Sequence, residues 1–250
     1  MAKGIEKLGV KFRCGIDEGR IQRLVARDGK VDVVLGDPSK AGGGTFEGQT
    51  FYQGQGGRRS RNNGETFTFD AVVVCAGVRS RDLAAQLGDR VNIYPVKGYS
   101  ITVNMPEDDQ ASRDAAPWVS LLDDDAKIVT SRLGPDRFRI AGTAEFNGYN
   151  RDIRHDRIIP LVRWCNTHFP EISTEDVTPW SGLRPMLPSM LPRVGPGKAP
   201  GVFYNTGHGH LGWTLSAATA DMIGEAVRAG LRESKLPSAA VPPTPEPQTA

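Results

Sequence analysis

Cysteine and long apolar runs are both scarce in this sequence. Its 250 residues include three cysteines, Cys14, Cys75 and Cys165, which are widely spaced and form no CxxC pair. That pattern argues against a disulfide framework and a zinc site, so we expect each to be a small buried residue in a reducing compartment. No apolar run approaches the roughly 18 residues of a membrane span, and no signal-peptide pattern opens the chain. We therefore expect a soluble chain without a transmembrane segment, bound at most to a membrane surface.

An excess of charge of one sign is also lacking. The chain has 31 basic and 29 acidic residues and a formal net charge of +2, so no strong field selects nucleic acid or an anionic membrane. Residues 38–64 are rich in glycine, serine, asparagine and glutamine, which predicts a flexible insertion. Its Arg58, Arg59 and Arg61 could contact RNA, but a solvated loop is the simpler interpretation. We expect no nucleic-acid partner.

Short alternating segments near the N-terminus predict β-structure. The first residues resemble the end of an amphipathic helix closed by Gly9, with a strand following at Val10 to Cys14. Strands at Ile21 to Arg27 and Lys30 to Leu35 flank the turn Asp28-Gly29, which is a hairpin signal.

A longer apolar run follows the insertion. Thr66 to Val78 ends at Ala76-Gly77 and has the pattern of a central parallel strand buried on both faces. Ser80 to Leu87 then predicts a short helix closed by Gly88.

The middle of the chain predicts an antiparallel sheet and one helix. Alternation between turns indicates four strands, at Gly98 to Asn104, Trp118 to Leu122, Lys127 to Arg132 and Arg137 to Ala144. His155 to His168 predicts a helix that tolerates Pro160 only near its start, or with a kink.

The densest functional signal lies between Ser181 and Val227. The segment predicts four consecutive elements: a loop with Arg184, a short strand at Val202 to Tyr204, a turn rich in glycine and histidine at Thr206 to Gly212, and a helix. Unpaired backbone N–H groups and the helix dipole point the same way at a helix N-terminus, so this junction favours an anion or the polar edge of a ring.

Three stretches carry a resemblance to a known family: YPVKGYSITV from Tyr94, GLRPM from Gly182 and NTGHGHLGWT from Asn205. In residue identity, order and spacing they resemble the FAD-dependent D-amino-acid oxidase superfamily, which also includes glycine and sarcosine oxidases. Within it the bacterial D-amino-acid dehydrogenases are nearest. The resemblance covers most of the chain.

The resemblance implies an α/β plus α+β fold, in which an incomplete FAD-binding Rossmann-like domain joins an antiparallel-sheet substrate domain. The implied boundaries are a partial FAD-binding domain at 1–95, a substrate domain at 96–180, a return to the FAD-binding domain at 181–235, and a disordered proline-rich tail at 236–250.

The resemblance also implies site residues. Arg184 of the GLRP motif is implied to clamp the substrate's α-carboxylate, which suits a planar fork of donors, and Tyr99 to line the substrate pocket. Without the motif, the plain alternatives are an arginine paired with an acid, a surface lysine at Lys97 and a packed tyrosine. The implied FAD-binding residues are Ala76, Gly77, Lys97, Gly98, Gly207, His208, Gly209, His210, Leu211, Gly212, Trp213 and Thr214.

Within that list, glycines matter more than histidines. Gly207, Gly209 and Gly212 permit positive φ angles and close approach of backbone N–H groups to the flavin. His208 and His210 form an HxH pair without a third ligand nearby, so we expect no metal. Trp213 at a helix start is more often a core residue than a pocket residue.

The implied activity is oxidation of a D-amino acid to an imino acid, which hydrolyses to a 2-oxo acid and ammonia. FAD accepts the hydride, and in the dehydrogenase branch the electrons pass to a quinone or carrier. A cytoplasmic location, or a peripheral one at the inner membrane, fits that chemistry.

The sequence departs from the family in one large respect, because no buried strand leads into a GxGxxG turn. An apolar edge at Ala71 to Cys75 would then lack its partner strands. Near the flavin, Leu187, Ser189 and Met190 replace the threonine, aspartate and glycine usual in relatives.

Three hypotheses follow from this departure. The chain is the C-terminal portion of a D-amino-acid dehydrogenase, or it associates with a separate N-terminal chain that carries the dinucleotide unit, or it is noncatalytic and vestigial.

Overall fold

The computed structural model describes residues 2–13, 21–36 and 65–233. The helices there are α1 (Ala2–Glu6), α2 (Ser80–Gln86), α3 (Gln110–Ala115), α4 (His155–His168) and α5 (Gly212–Glu233). The strands are β1 (Ile21–Arg27), β2 (Lys30–Leu35), β3 (Thr66–Phe69), β4 (Val72–Val74), β5 (Tyr94–Asn104), β6 (Leu122–Asp123), β7 (Ile128–Arg132), β8 (Arg137–Phe146), β9 (Val177–Met186), β10 (Arg193–Pro196) and β11 (Val202–Thr206). The predicted insertion, the predicted tail and Cys14 lie outside the described residues.

The first sheet is an antiparallel meander of β1, β2 and β3. Asp28 and Gly29 have φ angles of 51° and 70°, which give a two-residue turn whose twist matches that of the flanking strands. The predicted hairpin is therefore confirmed. The predicted strand at Val10 is wrong over residues 10–13, which are irregular, because Val10 and Phe12 are exposed and find no pairing partner among the described strands.

The second sheet has the order β10-β11-β4, with β4 parallel to β11. The single strand predicted from Thr66 to Val78 is wrong, since the chain bends at Asp70 and sends β3 and β4 into different sheets. Val74 is in the core but Val73, on the other face, is 37% exposed, and β4 pairs only with β11 among the described strands. Cys75, just beyond, is exposed, which corrects the expectation that it is buried. Cys165 is buried as expected.

The third sheet is antiparallel with the order β6-β7-β8-β5-β9. Helix α4 covers one face, where Leu161 and Cys165 join Ile101, Phe138 and Ile140 in a core cluster. The helix has the predicted bounds, and Pro160 lies inside it, in the second turn rather than at its start.

The opposite face of this sheet is open in the described part of the chain. Direct cross-strand partners lie on the same face of an antiparallel sheet, so the pairs Ser100–Trp180 and Val96–Phe146 identify this side. Trp180 is 47% exposed and Phe146 75%. We call this side the open face and the α4 side the covered face.

Two local predictions about this sheet are corrected. Arg184 is not in a loop, because β9 continues through it to Met186. The strand predicted from Trp118 to Leu122 shrinks to the two residues of β6, since Trp118 and Val119 are exposed and do not enter the ladder.

Candidate functional site

Two turns meet at one edge of the second sheet. Because β4 and β11 are parallel, the turn at Ala76-Gly77 and the turn at residues 207–211 both follow carboxyl ends of strands. The Ala76 N–H donates to Ser80 Oγ at 3.0 Å, and Ser80 Oγ lies 2.7 Å from Thr206 Oγ1. In open parallel sheets ligands bind just outside these ends, so the structure brings two of the predicted cofactor segments to one place.

The glycine turn also touches the end of β9. Gly207 and Gly209 have φ angles of 79° and 57°, and the Gly209 N–H donates to the Pro185 carbonyl at 3.0 Å. A β-carbon on Gly209 would lie 2.7 Å from the Met186 sulfur, so the turn needs glycine there. Gly212 instead begins α5 without a positive φ, which corrects its predicted conformation.

Neither histidine of the turn has a metal-binding environment. His208 Nε2 lies 3.2 Å from Thr219 Oγ1 in α5, and burial lowers its pKa. His210 is exposed. Across residues 2–13, 21–36 and 65–233, no cluster of three or more histidine, cysteine, aspartate or glutamate side chains could hold a metal ion.

Arg184 lies on the open face of the third sheet. A β-carbon on Gly98 would lie 2.2 Å from Arg184 Nη1, so the guanidinium rests directly over this glycine. Arg184 Nη1 donates to the Thr143 carbonyl at 3.0 Å. Thr143 has a φ of 68° and lies at the bulge where β8 slips against β5, and this bulge aims its carbonyl at the arginine.

The guanidinium of Arg184 forms no ion pair with any carboxylate that the structure describes. The alternative of an arginine paired with a nearby acid is therefore wrong within those ranges. Burial, and secondly the charge of Arg139, lower the pKa of Arg184. A half-buried cation without an anion is a candidate binding group for one.

Lys97 and Tyr99 lie on the covered face, away from Arg184. Lys97 Nζ is fully buried and donates to Asn150 Oδ1 at 2.9 Å and to the Asp152 carbonyl. The Tyr99 hydroxyl donates to Glu145 Oε2 at 2.6 Å, and burial, followed by this hydrogen bond, raises the tyrosine pKa. The structure thus separates both residues from Arg184. Tyr99 matches the packed alternative, whereas the surface alternative for Lys97 is wrong because its side chain is fully buried.

The residues after the glycine turn are open to solvent. Trp213 is 90% exposed, so the expectation of a core residue is wrong, because the start of α5 projects beyond the described core. Leu211 and Thr214 are exposed as well.

Sequence reasoning missed two side chains on the open face. A β-carbon on Gly182 would lie 2.1 Å from Trp180 Cη2, so the indole covers this glycine. The Arg139 guanidinium carbon lies 5.3 Å from the centre of the Trp180 ring. The alternation of β8 and β9 could have indicated this face, but their register could not be read from the sequence.

Glycine turns at the carboxyl ends of parallel strands are typical of proteins that bind a nucleotide cofactor. Residues 1–226 match the model of the DAO family, described as FAD dependent oxidoreductase. The chain belongs to this family, whose cofactor is FAD.

Curated relatives share substantial identity over part of their length. The chain is 65% identical over 167 residues to D-amino acid dehydrogenase 3 of Mesorhizobium japonicum, covering 67% of this chain and 40% of the relative. It is 43% identical over 169 residues to D-amino acid dehydrogenase of Rhizobium johnstonii, covering 68% of this chain and 39% of that protein. The chain thus spans about 40% of the length of the relatives it matches.

Solved structures agree on the fold. Glycine oxidase from Geobacillus kaustophilus aligns with a TM-score of 0.57 at 26% identity, over 66% of this chain and 43% of that one. Iminodiacetate oxidase from Chelativorans sp. BNC1 aligns with a TM-score of 0.63 at 19% identity, over 83% of this chain and 48% of that one. The mixed α/β architecture with an antiparallel sheet is therefore the fold of this family.

The two turns at the carboxyl ends of β4 and β11 have the placement that suits a nucleotide cofactor such as FAD. Gly207 and Gly209 shape the second turn, because a β-carbon would lie 2.5 Å from Leu187 Cδ1 at Gly207 and 2.7 Å from the Met186 sulfur at Gly209. Nothing equivalent to a GxGxxG turn for the ADP half occurs in the described residues. Among the helices of the described ranges, none has the length and apolar character needed to cross a membrane.

Proposed function

We propose that this chain supplies the substrate-facing part of a flavoenzyme that oxidises D-amino acids to 2-oxo acids and ammonia. The observation that carries the proposal is the half-buried guanidinium of Arg184, which lies on an open sheet face without a carboxylate partner in the described ranges. Its fork of donors fits a substrate α-carboxylate. The names of the relatives support the D-amino acid as substrate.

The two paired glycines make room for that substrate. Gly98 and Gly182 face each other across β5 and β9, and the absence of side chains there lets Arg184 lie over Gly98 and Trp180 over Gly182. A substrate held by its carboxylate on Arg184 would have its Cα–H fixed relative to this platform. Such positioning is a large part of what a protein contributes to a cofactor-dependent reaction.

The two turns would hold the cofactor beside this platform. The backbones at Ala76-Gly77 and at residues 207–211 lie at the carboxyl ends of β4 and β11, and Pro185 ties the second turn to the strand that carries Arg184. When bound, FAD supplies the hydride acceptor. Gly98 and the exposed His210, Leu211, Trp213 and Thr214 remain predictions for the rim of this site.

In the overall reaction the substrate loses a hydride from Cα and a proton from nitrogen, and water then hydrolyses the imino acid. We assign the electrons to a quinone or another carrier, which places the protein in the cytoplasm or peripherally at the inner membrane. The domain boundaries proposed are 1–95 with 181–235 for the cofactor domain and 96–180 for the substrate domain.

The free side of β4 supports a further element of the proposal. Val73 is 37% exposed and Cys75 is exposed, so an apolar strand offers its edge. We propose that a dinucleotide-binding unit, on a separate chain or in another segment of the same protein, completes the sheet there.

The test is the absorbance spectrum of the purified chain after addition of FAD and desalting. We expect a retained flavin band that bleaches anaerobically with D-alanine and does not bleach with Arg184→Ala. Flavin retention without bleaching by any D-amino acid would support the noncatalytic alternative. Absence of flavin that is restored by a GxGxxG-containing partner would support association with a separate chain.

A further inference from the structure

Arg139 lies on the same open face as Arg184. Thr102 on β5 pairs with Arg139 on one side and with Thr178 on the other, while Val96 pairs with Arg184. Val96 and Thr102 are six residues apart on one strand, and even spacing keeps side chains on one face. Both arginines therefore project from the side that α4 leaves open.

The two guanidiniums converge over the centre of the sheet. Arg184 reaches back from its own position to lie over Gly98. The Trp180 ring reaches to Gly182, and Arg139 lies 5.3 Å from the centre of that ring. The two arginines are opposite β5 positions six residues apart, but Arg184 extends to Gly98 and Arg139 to the indole that covers the adjacent Gly182.

This pair of cations has no anion of its own. Neither arginine forms an ion pair with a carboxylate in the described ranges. Glu145 has its carboxylate on the covered face, where it binds Tyr99 and Arg154. Two cations that repel each other on a partly dry surface favour a ligand with two negative charges.

We propose that Arg139 binds a second carboxylate, so that the preferred substrates are D-amino acids with an acidic side chain. In this arrangement Arg184 holds the α-carboxylate and Arg139 the side-chain carboxylate, as in D-glutamate or D-aspartate. Arg184 lies over Gly98, and Arg139 lies beside the indole that covers the paired Gly182, so the two cations border one site that a dicarboxylate would span. The inference rests on the proposed function, because it assigns the substrate class of the same site.

The experiment compares D-glutamate with its neutral isostere D-glutamine. Affinities of the purified chain for both, and for D-alanine and glutarate, are measured by calorimetric titration, together with kcat/KM of the FAD-loaded protein. We expect D-glutamate to be favoured by about tenfold or more, because one charge-assisted hydrogen bond contributes about that much. Arg139→Gln should bring the ratio close to one, and Arg139→Lys should keep part of it.

Arg137→Gln is the matched control. It removes the same charge from the same strand, but Arg137 is exposed and pairs with Asp136 at the far end of β8. The preference for D-glutamate should survive this change.

Two results would overturn the inference in distinguishable ways. Equal affinity for D-glutamate and D-glutamine, with D-alanine still bound, removes the role of Arg139 and leaves the proposed function intact. If glutarate binds through Arg139 but no D-amino acid is bound or oxidised, the proposed function is rejected. The proposed preference for acidic D-amino acids is then rejected as well.

Discussion

The two faces of the five-stranded sheet differ in whether their charged side chains are paired. On the covered face Lys97, Tyr99 and Glu145 satisfy one another, with Arg154 and Arg157 at the edge. On the open face Arg184 and Arg139 have no acidic partner in the ranges described. Paired charges stabilise a fold only as a set, whereas unpaired cations on an accessible face are available for a ligand. The comparison separates residues that hold the sheet together from residues that we assign to the substrate.

The largest expected effect comes from breaking the network on the covered face. Glu145→Ala leaves the fully buried Lys97 ammonium and the Tyr99 hydroxyl without their acidic partner, so the free energy of unfolding should fall by about 3 kcal/mol or more. Denaturant titration measures this loss. Asp124→Ala, which removes an exposed partner of Lys127, is the control and should leave the midpoint unchanged. An equally small loss for Glu145→Ala would contradict the structural role of the network.

Glycines on the two faces give a second, smaller contrast. A β-carbon on Gly142 would lie 3.1 Å from Ile128 and 3.2 Å from Leu161, so Gly142→Ala should lower the free energy of unfolding by about 1 kcal/mol through overpacking. Gly98→Ala meets only the flexible end of Arg184. That change should leave stability nearly intact and weaken D-amino acid binding, because it displaces the clamp. Similar melting losses for both variants would remove the distinction between the faces.

His208 of the glycine turn, which contacts Thr219, predicts a modest dependence of stability on pH. Burial lowers the pKa of His208 in the folded protein, so the neutral form is favoured on folding. The resulting stability is present above the unfolded pKa of about 6.5 and is lost as the pH falls toward the folded value. Thermal melts from pH 7.5 to 5 should show this decline, and His208→Asn should reduce it. An unchanged slope in the variant would assign the decline to other groups.

The smallest effect concerns a strained backbone conformation in the loop between β9 and β10. Met190 has a φ of 61°, at a position where the family resemblance implies glycine. Met190→Gly should relieve a left-handed conformation that costs about 1 kcal/mol, offset in part by the greater freedom of glycine in the unfolded chain. We expect a melting temperature equal to or slightly above that of the parent. A clear decrease would mean that the exposed methionine side chain stabilises the loop.

The elements that depend only on neighbouring residues could be predicted from the sequence. The Asp28-Gly29 hairpin, α4 and the closure of α2 by Gly88 depend on neighbouring residues and were predicted with nearly correct bounds. The run from Thr66 to Val78 was misread, because its division between two sheets depends on pairing with β2 and β11, which are distant in sequence.

The candidate site was readable only in part for the same reason. Arg184 and the glycine turn followed from a motif resemblance. The placement of Lys97 and Tyr99 on the covered face, and of Arg139 beside Trp180, depends on strand register and on the bulge at Thr143. No residue pattern within one strand specifies which partner lies opposite.

The most direct test of the central claim is a pair of measurements on Arg184→Met, the free energy of unfolding and the affinity for D-alanine. We predict unchanged or slightly higher stability, because an unpaired, half-buried cation is removed, together with a loss of affinity of about 10-fold to 100-fold, as expected for a charge-assisted contact to a carboxylate. Lower stability with unchanged affinity would contradict the account, since Arg184 would then hold the fold together rather than bind the substrate.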